Sequence, residues 1–157
     1  MTIETFQQLI QTITDFIGDR PLDKNLQSAL NERFPFQGPE YRQIFDTCRR
    51  AADEGWMCQY EGGGVRYGRV IKPSESLKGY SVDVVNMNDI AGPHHRHPGG
   101  EIDLIMPVSE TARFDGQPGG WLVYGPDSAH SPTVTGGEAF VLYLLPQGQI
   151  EFTRRAA

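Results

Sequence analysis

Apolar residues recur at Ile3, Phe6, Ile10, Ile13 and Ile17, at spacings of three and four, which predicts an amphipathic helix that Gly18 can end. Leu22, Leu26 and Leu30 form a shorter helical face after Pro21. Breakers at Pro35, Gly38 and Pro39 separate it from a third helix, which turns Tyr41, Ile44, Phe45, Cys48 and Ala52 inward and stops near Gly55. Cys48 falls on that inward face and reads as a small core residue. From Trp56 onward the period changes. Short β-branched and aromatic stretches at 65–71, 80–87, 101–107, 112–114, 121–124 and 139–145 are divided by Gly, Pro, Asn and Asp, as in an antiparallel barrel or sandwich. The absence of a long helical pattern between them disfavours a parallel sheet. The expected organisation is a single domain over 1–157, with a helical segment over 1–55 packed on a β-barrel over 56–153.

Charge and composition narrow the function. The formal net charge of −6 argues against nucleic-acid binding, which needs basic surface to displace counterions. The longest apolar run, 139–145, is too short to span a bilayer, and the amphipathic, acidic N-terminus lacks the pattern of a signal peptide. Two cysteines, Cys48 and Cys58, are too few for a disulfide framework and fit a reduced compartment. A soluble cytoplasmic protein is expected, with a homodimer as the default assembly.

Three of the four histidines lie together at His94, His95 and His97, and His130 comes beyond the next expected hairpin. On an extended strand His95 and His97 point the same way, and Pro98, Gly99 and Gly100 can turn the chain so that Glu101 returns to the same region. With His130 on a neighbouring strand, this mixed nitrogen and oxygen set suits one divalent ion of iron, manganese, zinc or nickel. His94, on the opposite face, is expected to pack or to orient a ligand. Asp103 shares a strand face with Glu101, where it would either move protons or hold a histidine N–H in the ligating tautomer.

Strand alternation over 65–71 groups Val65, Tyr67, Arg69 and Ile71 on one face. If that face is interior, Arg69 can hold a substrate carboxylate through its planar fork, with Tyr67 as an aromatic wall. Trp121, Tyr124 and Tyr143 read as barrel packing. The triple glycine at 62–64 is not a phosphate loop, because neither Lys-Ser/Thr nor a helix comes after it.

The order His-x-His, then x3-Glu, then a histidine about thirty residues later resembles the two-part metal motif of cupins. That resemblance implies a mainly β fold, a cupin-like antiparallel jelly-roll barrel behind the N-terminal helices, and ligand roles for His95, His97, Glu101 and His130. The chain departs from the pattern at Val108, where cupins usually have glycine, and at Val134, where an asparagine is frequent. Its second part also reads Gly125-Pro126-Asp127-Ser128-Ala129-His130 in place of Pro-x-Gly-x-x-His. The runs 62–73 (GGGVRYGRVIKP), 81–98 (SVDVVNMNDIAGPHHRHP), 100–107 (GEIDLIMP) and 124–130 (YGPDSAH) resemble, more closely, the 4-hydroxylaminobenzoate lyases of bacterial nitrobenzoate degradation. This implies conversion of 4-hydroxylaminobenzoate and water to 3,4-dihydroxybenzoate and ammonia. The balance is redox-neutral, so it needs no organic cofactor, and a metal acting as a Lewis acid suffices, with Asp103 and Glu101 as candidate catalytic carboxylates and a small aromatic carboxylate as substrate. The same four side chains would also serve an Fe(II) dioxygenase or metal isomerase, or a non-catalytic module that binds a small ligand.

Overall fold

A computed structural model describes residues 2–153. Met1 and 154–157, included in the expected single domain, lie outside the described residues. Three helices come first: α1 (Ile3–Ile17), α2 (Lys24–Arg33) and α3 (Pro39–Glu54). Thr2 caps α1 by accepting from the Thr5 amide, and Gly18 ends it with φ 51°. Asp23 caps α2 in the same way, so Leu22 lies just before the helix whose face it was expected to share. Pro39 opens α3 and Gly55 closes it in the left-handed conformation. The expected apolar face of α1 is buried from Phe6 to Ile17, while Ile3 at the frayed end is 41% exposed. Each fully buried aliphatic side chain on this face contributes roughly 1.5–3 kcal/mol relative to exposure.

Ten strands follow among the described residues: β1 (Tyr60–Gly62), β2 (Val65–Ile71), β3 (Tyr80–Ala91), β4 (His95–His97), β5 (Glu101–Pro107), β6 (Arg113–Phe114), β7 (Gly120–Tyr124), β8 (Ser128–His130), β9 (Thr133–Pro146) and β10 (Glu151–Phe152). The larger antiparallel sheet runs β1-β2-β3-β9-β5-β7, with β6 also on β9, and a small sheet runs β10-β4-β8. Together they make a mainly β, cupin-like jelly roll behind an N-terminal helical segment. No helix among the described residues is long and apolar enough to cross a membrane.

The large sheet is apolar on both faces, which is why its strands read as continuous hydrophobic runs. Val82, Val84, Ile102, Leu104, Leu142 and Leu144 face the helices in one core, shared with Ile10, Ile13 and Ile44. Val85, Met87, Ile105, Leu122, Val141 and Leu145 face the barrel interior in a second core. Alternation on β5 therefore turns Glu101 and Asp103 inward, and both are fully buried.

On β2 strict alternation fails. A bulge shifts the register so that Arg69 pairs with Asp83 and Ile71 with Val82. Val65 joins the interior core, whereas Ile71 belongs to the helix-side core. The expected grouping of Ile71 with Val65, Tyr67 and Arg69 is thus corrected: one extra residue reverses the face of the positions after it.

The outer edge of β7 is covered by α2. Asn31 accepts from the Trp121 amide at 2.8 Å and donates to the Trp121 carbonyl at 3.0 Å. Gln27 accepts from the Val123 amide at 2.9 Å. Trp121 itself sends its indole N–H to the Phe34 carbonyl, so its packing role is against the helices.

Candidate metal centre

The small sheet lays its histidines over Glu101. His95 on β4 pairs directly with His130 on β8, and His97 pairs with Ser128. The turn at 98–100 is closed by the Gly100 amide on the His97 carbonyl at 3.2 Å. Gly100 has φ 91°, and a Cβ there would sit 2.8 Å from the Tyr124 carbonyl oxygen, so glycine is required for the chain to re-enter as β5. The other turn of the motif keeps its left-handed residue although glycine is missing: Asp127 has φ 65° and its carboxylate pairs with Arg96.

The three imidazoles form a near-equilateral triangle, with ring centroids 4.7, 4.7 and 4.8 Å apart. Glu101 completes the set. Its Oε1 lies 3.1 Å from His97 Nε2 and 3.4 Å from His95 Nε2, and its Oε2 lies 3.5 Å from His130 Nε2. His95 Nε2 and His130 Nε2 are 3.1 Å apart. All four ligand atoms lie within 4.8 Å of one another. Bonds of about 2.1 Å to a common ion put ligand atoms about 3.0 Å apart at right angles and about 3.4 Å apart in a tetrahedron, so the separations of 3.1, 3.4 and 3.5 Å fit, and the widest must close on binding. Moreover, His97 Nε2 and both Glu101 oxygens are buried without a hydrogen-bond partner, which a cation between them would supply.

The opposite ring nitrogens explain why the Nε2 atoms point inward. His130 Nδ1 donates to Asp115 Oδ2 at 2.5 Å. Ser128 Oγ donates to the Gly125 carbonyl at 2.6 Å, which leaves it as acceptor for His97 Nδ1–H at 2.9 Å. His95 Nδ1 faces the Pro93 carbonyl at 3.3 Å. In each ring the proton is held on Nδ1, and the Nε2 lone pair is left for a metal.

Asp115 and Ser128 were not singled out in the sequence. Asp115 also accepts from the Tyr124 hydroxyl at 2.5 Å and the Thr133 amide at 2.9 Å, so Tyr124, packed against the interior core, serves this network as well. The histidine-holding role offered for Asp103 belongs instead to Asp115, Ser128 and the Pro93 carbonyl. Among the described residues Asp103 has no hydrogen bond to a histidine; its carboxyl is buried beside Glu101. His94, half-buried, bonds Thr153 and so ties β10 to β4.

Electrostatics separates the two interior acids. Burial pushes Glu101 up, yet the close approach of the His130, His95 and His97 imidazoles outweighs it and holds the carboxylate well below its usual range. Burial, with the charge of Glu101 added, holds Asp103 well above its own. Burial lowers His130, but its bond to Asp115 and the nearby Glu101 carboxylate win and raise it to about 9, so in the metal-free chain its Nε2 carries a proton that a metal would displace. Two acids on one strand face thus differ in proton occupancy because only one faces the imidazoles.

A cavity of about 740 Å³ opens beside the cluster. His95 is the ligand that lines it, with Arg69, Asp83 and Tyr67 on its wall and Val85, Met87 and Phe152 as apolar surface. Phe152 packs edge-on against His95 at 5.9 Å. Arg69 therefore reaches the cavity, but as part of an ion pair: its Nε and Nη2 engage Asp83 at 2.8 and 3.2 Å, and Nη2 also donates to the Gly148 carbonyl. Nη1 makes no hydrogen bond to the protein among the described residues. Tyr143, expected as packing, also lines the cavity.

The sequence model of the 4-hydroxylaminobenzoate lyase family matches residues 8–152. A 4-hydroxylaminobenzoate lyase of Nocardioides sp. (strain LMS-CY) is 30% identical over 162 residues, covering 96% of each chain. That of Pseudomonas putida is 27% identical over 169 residues, covering 95% of this chain and 96% of its own. Among solved structures, an RmlC-like cupin from Ralstonia eutropha JMP134 aligns with TM-score 0.41 and 15% identity over 54% of this chain and 57% of its own. Oxalate oxidase in complex with glycolate aligns with TM-score 0.45 and 20% identity over 59% and 57%. On the match over 8–152, the chain belongs to the 4-hydroxylaminobenzoate lyase family.

Proposed function

We propose that the protein converts 4-hydroxylaminobenzoate and water to 3,4-dihydroxybenzoate and ammonia in the cavity beside His95, with a divalent ion held by His95, His97, Glu101 and His130. The observation that carries this reading is the convergence of four ligand atoms beside a cavity sized for a small aromatic acid, with His95 in its wall, in a chain matched to the lyase family over 8–152. Iron, manganese, zinc and nickel all suit three imidazoles and a carboxylate. When bound, the ion supplies Lewis acidity for N–O cleavage and for addition of water to the ring.

The chain's own residues bind and orient the substrate. Arg69 offers Nη1 to the benzoate carboxylate, because its other donors are committed to Asp83 and Gly148. Tyr67, 44% exposed, forms an aromatic wall at the mouth. Asp103 holds a proton beside Glu101 and is the acid assigned to return one to the departing group. Substrate plus water equals product plus ammonia in atoms and electrons, so neither hydride nor dioxygen is consumed.

The test is anaerobic turnover by the metal-loaded protein. The expected result is ammonia and 3,4-dihydroxybenzoate in equal amounts, with at least one ring oxygen taken from isotopically labelled water. Recovery of unchanged substrate or of 4-aminobenzoate alone, or an absolute need for oxygen, would overturn the assignment.

A further inference from the structure

The interior face of the sheet carries a polar row in otherwise apolar surroundings. Arg69 pairs with Asp83, Asp83 with Tyr143, and Tyr143 with Asp103, each directly across from the next on β2, β3, β9 and β5. Cross-strand partners share a face, and neighbouring strands are about 4.8 Å apart, so Arg69 and Tyr143 are separated by about 10 Å of backbone. That span matches a benzene ring with substituents at both ends. Tyr143 is 5% exposed, its ring packs on Phe114 at 6.4 Å, and it lines the cavity. Its hydroxyl makes no hydrogen bond to the protein among the described residues, whereas buried tyrosine hydroxyls ordinarily find a partner. The other tyrosine near the cluster is spoken for, since Tyr124 donates to Asp115.

Resting on the lyase reading above, we propose that Tyr143 donates its phenolic hydrogen bond to the para substituent of the bound benzoate while Arg69 holds the carboxylate, and so selects acids with oxygen or nitrogen at that position. Burial, with Glu101, Asp103, Asp115 and Asp83 nearby, keeps the phenol protonated and hence a donor. The apolar wall of Val85 and Met87 accommodates the ring between the two polar ends.

Calorimetric binding of 4-hydroxybenzoate and of benzoate to the metal-loaded protein tests this without relying on turnover. In Tyr143→Phe, affinity for 4-hydroxybenzoate should fall about ten-fold, the worth of one hydrogen bond, while affinity for benzoate stays within about two-fold. Equal weakening of both acids, or of neither, overturns the proposal. If the variant loses its metal or its fold, the wild type still decides: it must bind 4-hydroxybenzoate about ten-fold more tightly than 4-methylbenzoate, and equal binding overturns the proposal. A wild type that shows this preference but never releases ammonia from 4-hydroxylaminobenzoate would sink the lyase reading and leave the role of Tyr143 standing.

Discussion

Replacing Asp115 by asparagine isolates the part of the metal centre that no ligand motif reveals. The carboxylate serves three donors: His130 Nδ1 and the Tyr124 hydroxyl on Oδ2, and the Thr133 amide on Oδ1. Asparagine has one oxygen for these two sides. If the amide NH2 faces His130, the imidazole must move its proton to Nε2 and lose the lone pair a metal needs. If it faces Thr133, two N–H groups oppose each other in a largely buried turn. In either orientation a hydrogen bond to a charged acceptor is lost, worth about 1.5–3 kcal/mol. The structure thus supports a ten- to hundred-fold weaker metal affinity, in line with the usual effect of removing such a partner. Competition against a calibrated chelator gives the affinity directly, and unfolding of the metal-free protein shows whether the turn survives. Ser128→Ala provides the internal scale: it removes a neutral acceptor from His97, worth about 1 kcal/mol, so about five-fold in affinity. Wild-type affinity in Asp115→Asn, or a larger loss in Ser128→Ala than in Asp115→Asn, would refute the tautomer argument.

Three further outcomes are expected. His97→Ala or His130→Ala should release most of the metal while far-UV circular dichroism stays unchanged; full occupancy in either variant would move the site elsewhere. Arg69→Lys should weaken an aromatic acid ten- to hundred-fold by titration, because an ammonium cannot both satisfy Asp83 and present a second donor in a fixed plane; unchanged affinity would give the anchoring role to another cation. Asp103, with its pKa raised by burial and by Glu101, keeps in the folded chain a proton that the unfolded chain releases. Its contribution is therefore full below the unfolded value near 3.9 and declines as pH rises above it. Asp103→Asn should flatten that decline and raise the Tm of the metal-free protein at neutral pH. If Asp103 also donates a proton in the reaction, the same variant will lose turnover while keeping its metal.

How much the sequence discloses depends on how local the determinant is. The helical faces of α1 and α3 are legible because helical periodicity and glycine caps act within a few residues. His95, His97 and Glu101 are legible for the same reason, since a short segment and one turn bring them together. Asp115 is not, because its partners His130 and Thr133 are reached only by strand pairing of β6 and β9. Its aspartate-glycine pair reads as an ordinary turn. The face of Ile71 was misjudged because a bulge leaves no mark in an alternating pattern. Tyr143 reads only as packing because β9 is apolar on both sides, so nothing along it distinguishes the cavity face from the helix face.

The side chains of Asn31 and Gln27 make α2 stand where another strand would otherwise lie along β7. An uncovered β7 would offer free amides and carbonyls to any passing chain. Deleting the helices to obtain a minimal barrel should therefore yield filaments or precipitate before it yields a smaller enzyme. Grafting the barrel onto another scaffold will require a substitute that supplies both a carboxamide acceptor and a donor along that rim. For this chain the N-terminal third thus doubles as the cover of the sheet edge it precedes.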